Sequence, residues 1–191
     1  MSHHHRFGLA TLALLCALSF SRHSQAADED YAATPATAGD LKAQLQSYFF
    51  AAAREGRSDM LQEFINAGYD LNSRDGKGYT ALILAAYHGR PQAVNLLISA
   101  GANACAEDHR GNTALMGAIF KGELSIARTL LDAGCNPDQR NAAGQTPAMY
   151  AALFGRVEVL NALKEKGADL EATDINGNSA ESLARGEIKT R

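Results

Sequence analysis

Tryptophan is missing from this chain of 191 residues, and aromatic residues make up only 7% of it, so any apolar binding surface must be built from a few Tyr and Phe. A large excess of charge of one sign is also missing, with 18 Lys and Arg against 21 Asp and Glu. The formal net charge of −3 gives no electrostatic reason to bind nucleic acid. The apolar run at residues 7–20 is 14 residues long. As a helix it would extend about 21 Å, short of a bilayer core of about 30 Å. No nucleophile elbow, phosphate loop, HExxH sequence or paired metal-ligand spacing occurs, which argues against an enzyme, a cofactor, a small-molecule substrate or a metal. His88 and His109 would need further ligands beside them to hold a metal. Glu107 and Asp108 are neighbouring carboxylates in a turn, where solvation gives no reason for a raised pKa.

The start of the chain stands apart. A short polar stretch containing Arg6 precedes the apolar run, and Ser24-Gln25-Ala26 places small residues at the −3 and −1 positions before acidic Asp28-Glu29-Asp30. This is the order of a secretory signal peptide, residues 1–26, with cleavage expected after Ala26. His3 to His5 belong to its polar start, and Cys16 lacks the small neighbour of a lipidated cysteine. A membrane enters only if the segment is kept as an anchor. Cleavage takes two arginines and no acid, leaving 16 basic and 21 acidic residues and a net charge of −5. Residues 27–39 read as a flexible leader, and residues 40–191 as the folded domain.

That domain repeats itself every 33 residues. Gly78, Gly111, Gly144 and Gly177 fall in register, as do Gly56, Gly89, Gly122 and Gly155, and Gly68, Gly101, Gly134 and Gly167. Thr80, Thr113 and Thr146 form a further column with Ser179 below them. Their hydroxyls suit helix N-caps, and Pro147 suits a first helical position. Two short apolar runs follow each cap, each closed by a glycine that permits φ > 0. Helices of two to three turns are marginal alone, so each pair must be stabilised by its neighbours. The repeats run at about 45–77, 78–110, 111–143 and 144–176, with a half repeat at 177–191. Both ends read as polar caps: Lys42, Gln44 and Gln46 at one, Glu181, Ser182 and Arg185 at the other.

The rows DGKGYTALILAAYHGRPQAVNLLISAGANA, GNTALMGAIFKGELSIARTLLDAGCNP and GQTPAMYAALFGRVEVLNALKEKGADL resemble the ankyrin repeat, over residues 45–188. The resemblance implies an all-α solenoid of stacked helix-turn-helix units with projecting β-turn fingers. The histidine of the family's TPLH motif is replaced by Ile83, Met116 and Met149, so apolar packing is expected to take over its inter-repeat role. Cys135 takes the position of Ala102 and Ala168, and Cys105 lies in the turn one repeat earlier. Equivalent positions in neighbouring repeats lie about 10 Å apart, beyond the Cα limit of about 7 Å for a disulfide, so two free thiols are expected.

The resemblance also implies a protein-binding surface made of finger tips and first-helix ends. The tip positions are Lys77 and Tyr79, then His109, Arg110 and Asn112, then Ala142, Ala143 and Gln145. The helix ends supply Arg54 and Glu55, Tyr87 and His88, Phe120 and Lys121, and Leu153 and Phe154, with Ile175 and Asn176 closing the series. Tyr79, Tyr87, Phe120 and Phe154 are rings the helix cores do not need, and Lys77, His88, Arg110 and Lys121 give them a basic rim. The chain is similar in layout to small exported bacterial ankyrin proteins, some of which are associated with periplasmic catalases and protection from peroxide. The expected function is therefore non-enzymatic binding of another protein in the periplasm. The alternative is a secreted effector that binds a host protein.

Overall fold

The computed structural model describes residues 37–190. The expected signal segment and residues 27–36 lie outside them. Nine α-helices occur among the described residues: α1 (Ala38–Glu55), α2 (Ser58–Asn66), α3 (Ala81–Tyr87), α4 (Pro91–Ser99), α5 (Ala114–Lys121), α6 (Leu124–Asp132), α7 (Pro147–Leu153), α8 (Val157–Glu165) and α9 (Ala180–Ala184). The odd-numbered helices pack in one row and α2, α4, α6 and α8 in a second. The architecture is the all-α solenoid, with two isolated β-bridges, Glu107–Thr113 and Thr173–Ser179, in the fingers.

The threonine column does what its chemistry allows. Thr80, Thr113 and Thr146 each accept a hydrogen bond from the amide three residues on, that of Ile83, Met116 and Met149. All three threonines are buried, so each hydroxyl satisfies a helix amide that water does not reach. Between the rows, Leu61, Val94, Leu97, Ile126, Leu130, Val159 and Leu163 are almost wholly buried, and so is the alanine-rich face of the odd helices.

Fingers stack edge to edge through backbone hydrogen bonds spaced one repeat apart: His109 N–H to Lys77 O at 3.1 Å, Ala142 N–H to Arg110 O at 2.8 Å and Ile175 N–H to Ala143 O at 3.1 Å. This close approach explains the glycine in two of the fingers, Gly78 and Gly111. A Cβ on Gly78 would lie 2.7 Å from the His109 backbone nitrogen, and one on Gly111 would lie 2.9 Å from the Asn141 Cα. Both positions have φ near +80°, at +81° and +76°.

The replaced TPLH histidine leaves an apolar column: Ile83, Met116 and Met149 are all buried. Arginines supply some of the polar ties between repeats. Arg90 Nε donates to Arg54 O at 2.8 Å, and Arg156 Nε to Ile119 O at 3.3 Å, each covering the C-terminal end of the previous first helix. Arg74 donates to Gly78 O and Glu107 O, and Arg140 makes the matching pair with Gly144 O and Thr173 O.

The ends differ in detail from the sequence expectation. Ala38 and Gly39 are helical rather than leader, because Thr37 and Asp40 close a capping box: Asp40 N–H to Thr37 Oγ1 at 3.2 Å and Thr37 N–H to Asp40 Oδ2 at 3.0 Å. The α1 extension exposes Leu41, Leu45 and Tyr48 beside Lys42 and Gln44, so its outer surface is not purely polar. Gln46 turns inward and donates to Arg74 O at 2.8 Å. At the other end, Lys189 N–H donates to Asn178 Oδ1 at 2.6 Å while Asn178 Nδ2 donates to Lys189 O, so the tail sits where another finger would stack.

Candidate binding face

Each finger is shaped by one side chain. Asp75, Asp108, Asn141 and Asp174 occupy one column, and in each the Oδ1 accepts amides two and four residues on. That double acceptance fixes the tight turn whose tip carries Lys77 or Arg110. It also removes the carboxylates from service: Asp108 is buried and its second oxygen takes the Asn112 amide. Burial pushes the Asp174 carboxyl up, but hydrogen bonds from the Asn178 backbone and side chain, with amides of Asn176 and Gly177, bring it below its ordinary value.

Between the fingers and the ends of α3 and α5 lies a groove of about 780 Å³. Its lining includes eight of the expected residues, Arg54, Lys77, Tyr79, Tyr87, His88, Arg110, Asn112 and Phe120. Lys121 stands at its edge, with Nζ 5.3 Å from the centroid of the Tyr87 ring. Leu153 and Phe154 continue the same surface onto the end of α7 but do not line the groove, and His109 is an exposed tip outside it.

The rings form a ladder. Tyr87 and Phe120 are nearly parallel, centroids 6.1 Å apart, and Phe154 meets Phe120 edge-on at 5.1 Å. The ladder does not bury itself, since Tyr87 is 39% and Phe120 42% exposed, and Leu153 beside them 42%.

Two expected residues are not free tips. Tyr79 is half-buried and packs on the core, because the chain turns inward there toward the Thr80 cap. Asn112 is half-buried too: its amide donates to Asp108, and its oxygen accepts from Asn141 Nδ2 at 2.9 Å and from the Tyr150 hydroxyl at 3.2 Å.

Sequence reasoning missed two residues that shape the groove. Tyr150, on α7, leans into it, and burial raises its phenol pKa although the Asn141 hydrogen bond opposes this. Gly117, in the middle of α5, lies on the floor. Leu84, Gly117 and Tyr150 are one column of the repeat, so a glycine at an interior helical position was the available signal. Gly117 has no positive φ, and a Cβ there would meet only the Tyr87 side chain at 3.7 Å, an ordinary contact. The backbone does not require glycine; the missing side chain deepens the groove.

His88 closes one end. Burial, then the charges of Arg54, Arg90 and Lys121, hold its pKa below the ordinary value. Three cations around this histidine mark a region of positive potential.

The expectation of two free thiols is wrong: Cys105 and Cys135 form a disulfide, with Cα atoms 5.5 Å apart. The error lay in comparing equivalent positions, for the cysteines are 30 residues apart and not 33. Cys105 belongs to the column of Asn72 and Asp138. The side chains of that column reach across to the next repeat: Asn72 Oδ1 accepts from Asn103 N–H at 2.8 Å, and Asp138 Oδ1 from Asp169 N–H at 2.9 Å, each 31 residues on. Cys105 makes the same crossing, and the residue it meets is Cys135.

Comparison with known families agrees with this geometry. A model described as ankyrin repeats in three copies matches residues 49–141, and a single ankyrin-repeat model matches residues 143–172. No curated protein matches the chain.

Proposed function

We propose, for a chain that belongs to the ankyrin-repeat family, that the groove and aromatic ladder dock another protein in an oxidising compartment outside the cytoplasm. Ankyrin repeats are generally protein–protein interaction modules. The observation that carries the site assignment is the ladder itself: two rings about two-fifths exposed, stacked on each other, lining a groove that also carries charged residues. Exposed aromatic surface of this kind anchors interfaces. Two features support export: the signal-like order of residues 1–26, and a disulfide, which persists in oxidising compartments and is rare in the cytosol. A periplasmic role in oxidative-stress defence, with a catalase as the partner protein, fits the resemblance to exported ankyrin proteins.

Fractionation with N-terminal sequencing tests the location. The processed chain should appear in the periplasm, beginning at or within a few residues of Ala27. An intact Met1 form in the cytoplasm would sink the export reading, and recovery from the medium would favour the secreted effector. Crosslinked capture from the periplasm by wild type and by Tyr87→Ala/Phe120→Ala tests the face. Equal capture by both proteins would move the partner to another surface.

A further inference from the structure

Resting on that reading of the groove, we infer that the groove accepts an extended, acidic segment of the partner protein, with one apolar or aromatic side chain set over Gly117.

The charge argument is local and opposes the bulk composition. The chain has a formal net charge of −3, yet the groove presents cations. Lys77 and Arg110 rise on consecutive fingers, and Lys121 stands opposite at the end of α5. Among the described residues the ion pairs are Arg54–Asp75, Arg57–Asp59, Arg128–Glu158, Lys166–Asp132 and Arg185–Glu187, so none of these three cations has a carboxylate partner. The two acids in the lining keep their charge, but their hydrogen-bonding is committed to the fingers. Asp75 and Asp108 each hold their own finger turn by accepting backbone amides. With Arg54, Lys77 and Arg110 in the lining and Lys121 at its edge, cations outnumber the two carboxylates, and a ligand would meet an excess of positive charge. Such an excess attracts carboxylates and repels basic segments.

Shape gives the second half. Leu84 and Tyr150 occupy the Gly117 column in the adjoining repeats, so the groove deepens at one repeat only, between Tyr87 and the Tyr150 ring. Glycine inside a helix costs about 1 kcal/mol relative to alanine. Alanine would fit without clash, since its Cβ would have no neighbour nearer than 3.7 Å. The chain forgoes that stabilisation and keeps space for a side chain beside Tyr87, in a groove that Phe120 and Tyr150 also line. Aromatic and apolar groups fit such a border.

A phage-displayed library of random dodecapeptides, panned against the oxidised protein, tests this and does not require the partner to be identified first. The selected pool should be net acidic and carry a large apolar or aromatic residue among its carboxylates. Its binding should fall at least tenfold on Lys77→Glu/Arg110→Glu and be lost on Gly117→Leu, with both variants keeping the wild-type circular dichroism. The charge reversal changes exposed tips only, so it still decides the matter if Gly117→Leu fails to fold. A basic or neutral pool overturns the inference, as does no enrichment over the starting library, or an acidic pool indifferent to the charge reversal. A neutral pool lost on Tyr87→Ala/Phe120→Ala would leave the binding face standing and remove only its acidic preference. A pool indifferent to every one of these substitutions would remove both.

Discussion

Cys105 stands where the repeats before and after it carry Asn72 and Asp138, and all three side chains reach the next repeat. In this one row a covalent bond replaces a hydrogen bond. Closing a loop between residues 30 apart stabilises by about 3–4 kcal/mol in the chain-entropy picture. Thiol titration of the denatured, unreduced protein should find neither Cys105 nor Cys135 free. Cys105→Ser and Cys135→Ser should each lower the unfolding free energy by about 2–4 kcal/mol. Reduced wild type should melt close to the variants, and a reductant should leave the variants' own melting temperature unchanged. A buried hydroxyl gives a smaller effect of opposite sign. Ser73 Oγ is buried without a hydrogen-bond partner, and the next repeat carries Ala106 in its place. Ser73→Ala should raise stability by up to about 1 kcal/mol in denaturant melts.

The helix pairs were legible in the sequence because each depends on a short local signal. A hydroxyl at the cap, a glycine at the stop and apolar residues between them recur at one period, and the structure places caps at Thr80, Thr113 and Thr146 as the pattern requires. Thr113→Val, which keeps the shape and deletes the acceptor, should cost about 1–2 kcal/mol, since the Met116 amide is left without its partner in a buried setting. What the sequence did not reveal lies between repeats. The crossing of Cys105 to Cys135, the lean of Tyr150 and the arginines on the carbonyls of Arg54 and Ile119 all join residues about one repeat apart, with offsets set by how one finger leans on the next. A period gives the repeat, but not that lean. The groove was half legible for the same reason. Tyr87, Phe120 and Lys121 follow from the ends of helices, whereas the depth at Gly117 depends on neighbours in two other repeats.

Across the whole stack, stability and recognition draw on different surfaces. Leu97 and Leu130 are buried between helices, so Leu97→Ala or Leu130→Ala should destabilise by about 2–5 kcal/mol. Tyr87 and Phe120 line the groove and are about two-fifths exposed, so truncation should affect binding before melting. A proton separates the two functions further. His88 faces Arg54 from α1, Arg90 from the turn before α4 and Lys121 from α5, while Asp75 pairs with Arg54 and the Glu123 carboxylate lies beside the neighbouring Gly89. Burial and these cations depress its pKa in the folded chain. The unfolded chain, with an ordinary histidine near 6.5, therefore binds the proton more readily. The contribution of His88 to stability is complete above that value and is lost as pH falls through the depressed folded value. An acidic ligand in the groove reverses the local field and makes the protonated imidazole favourable. Binding should then take up a proton, so affinity should rise several-fold as pH drops from 7.5 toward 5.5, a rise of one in the bound-state pKa being worth about tenfold. Melting temperature and affinity should thus move in opposite directions over the same interval. His88→Gln, which cannot titrate, should flatten the affinity slope while leaving the pH 7.5 affinity near wild type. An affinity that falls on acidification while the ligand's carboxylates remain ionised would mean that His88 meets a cation in the complex, and that the groove receives a basic segment.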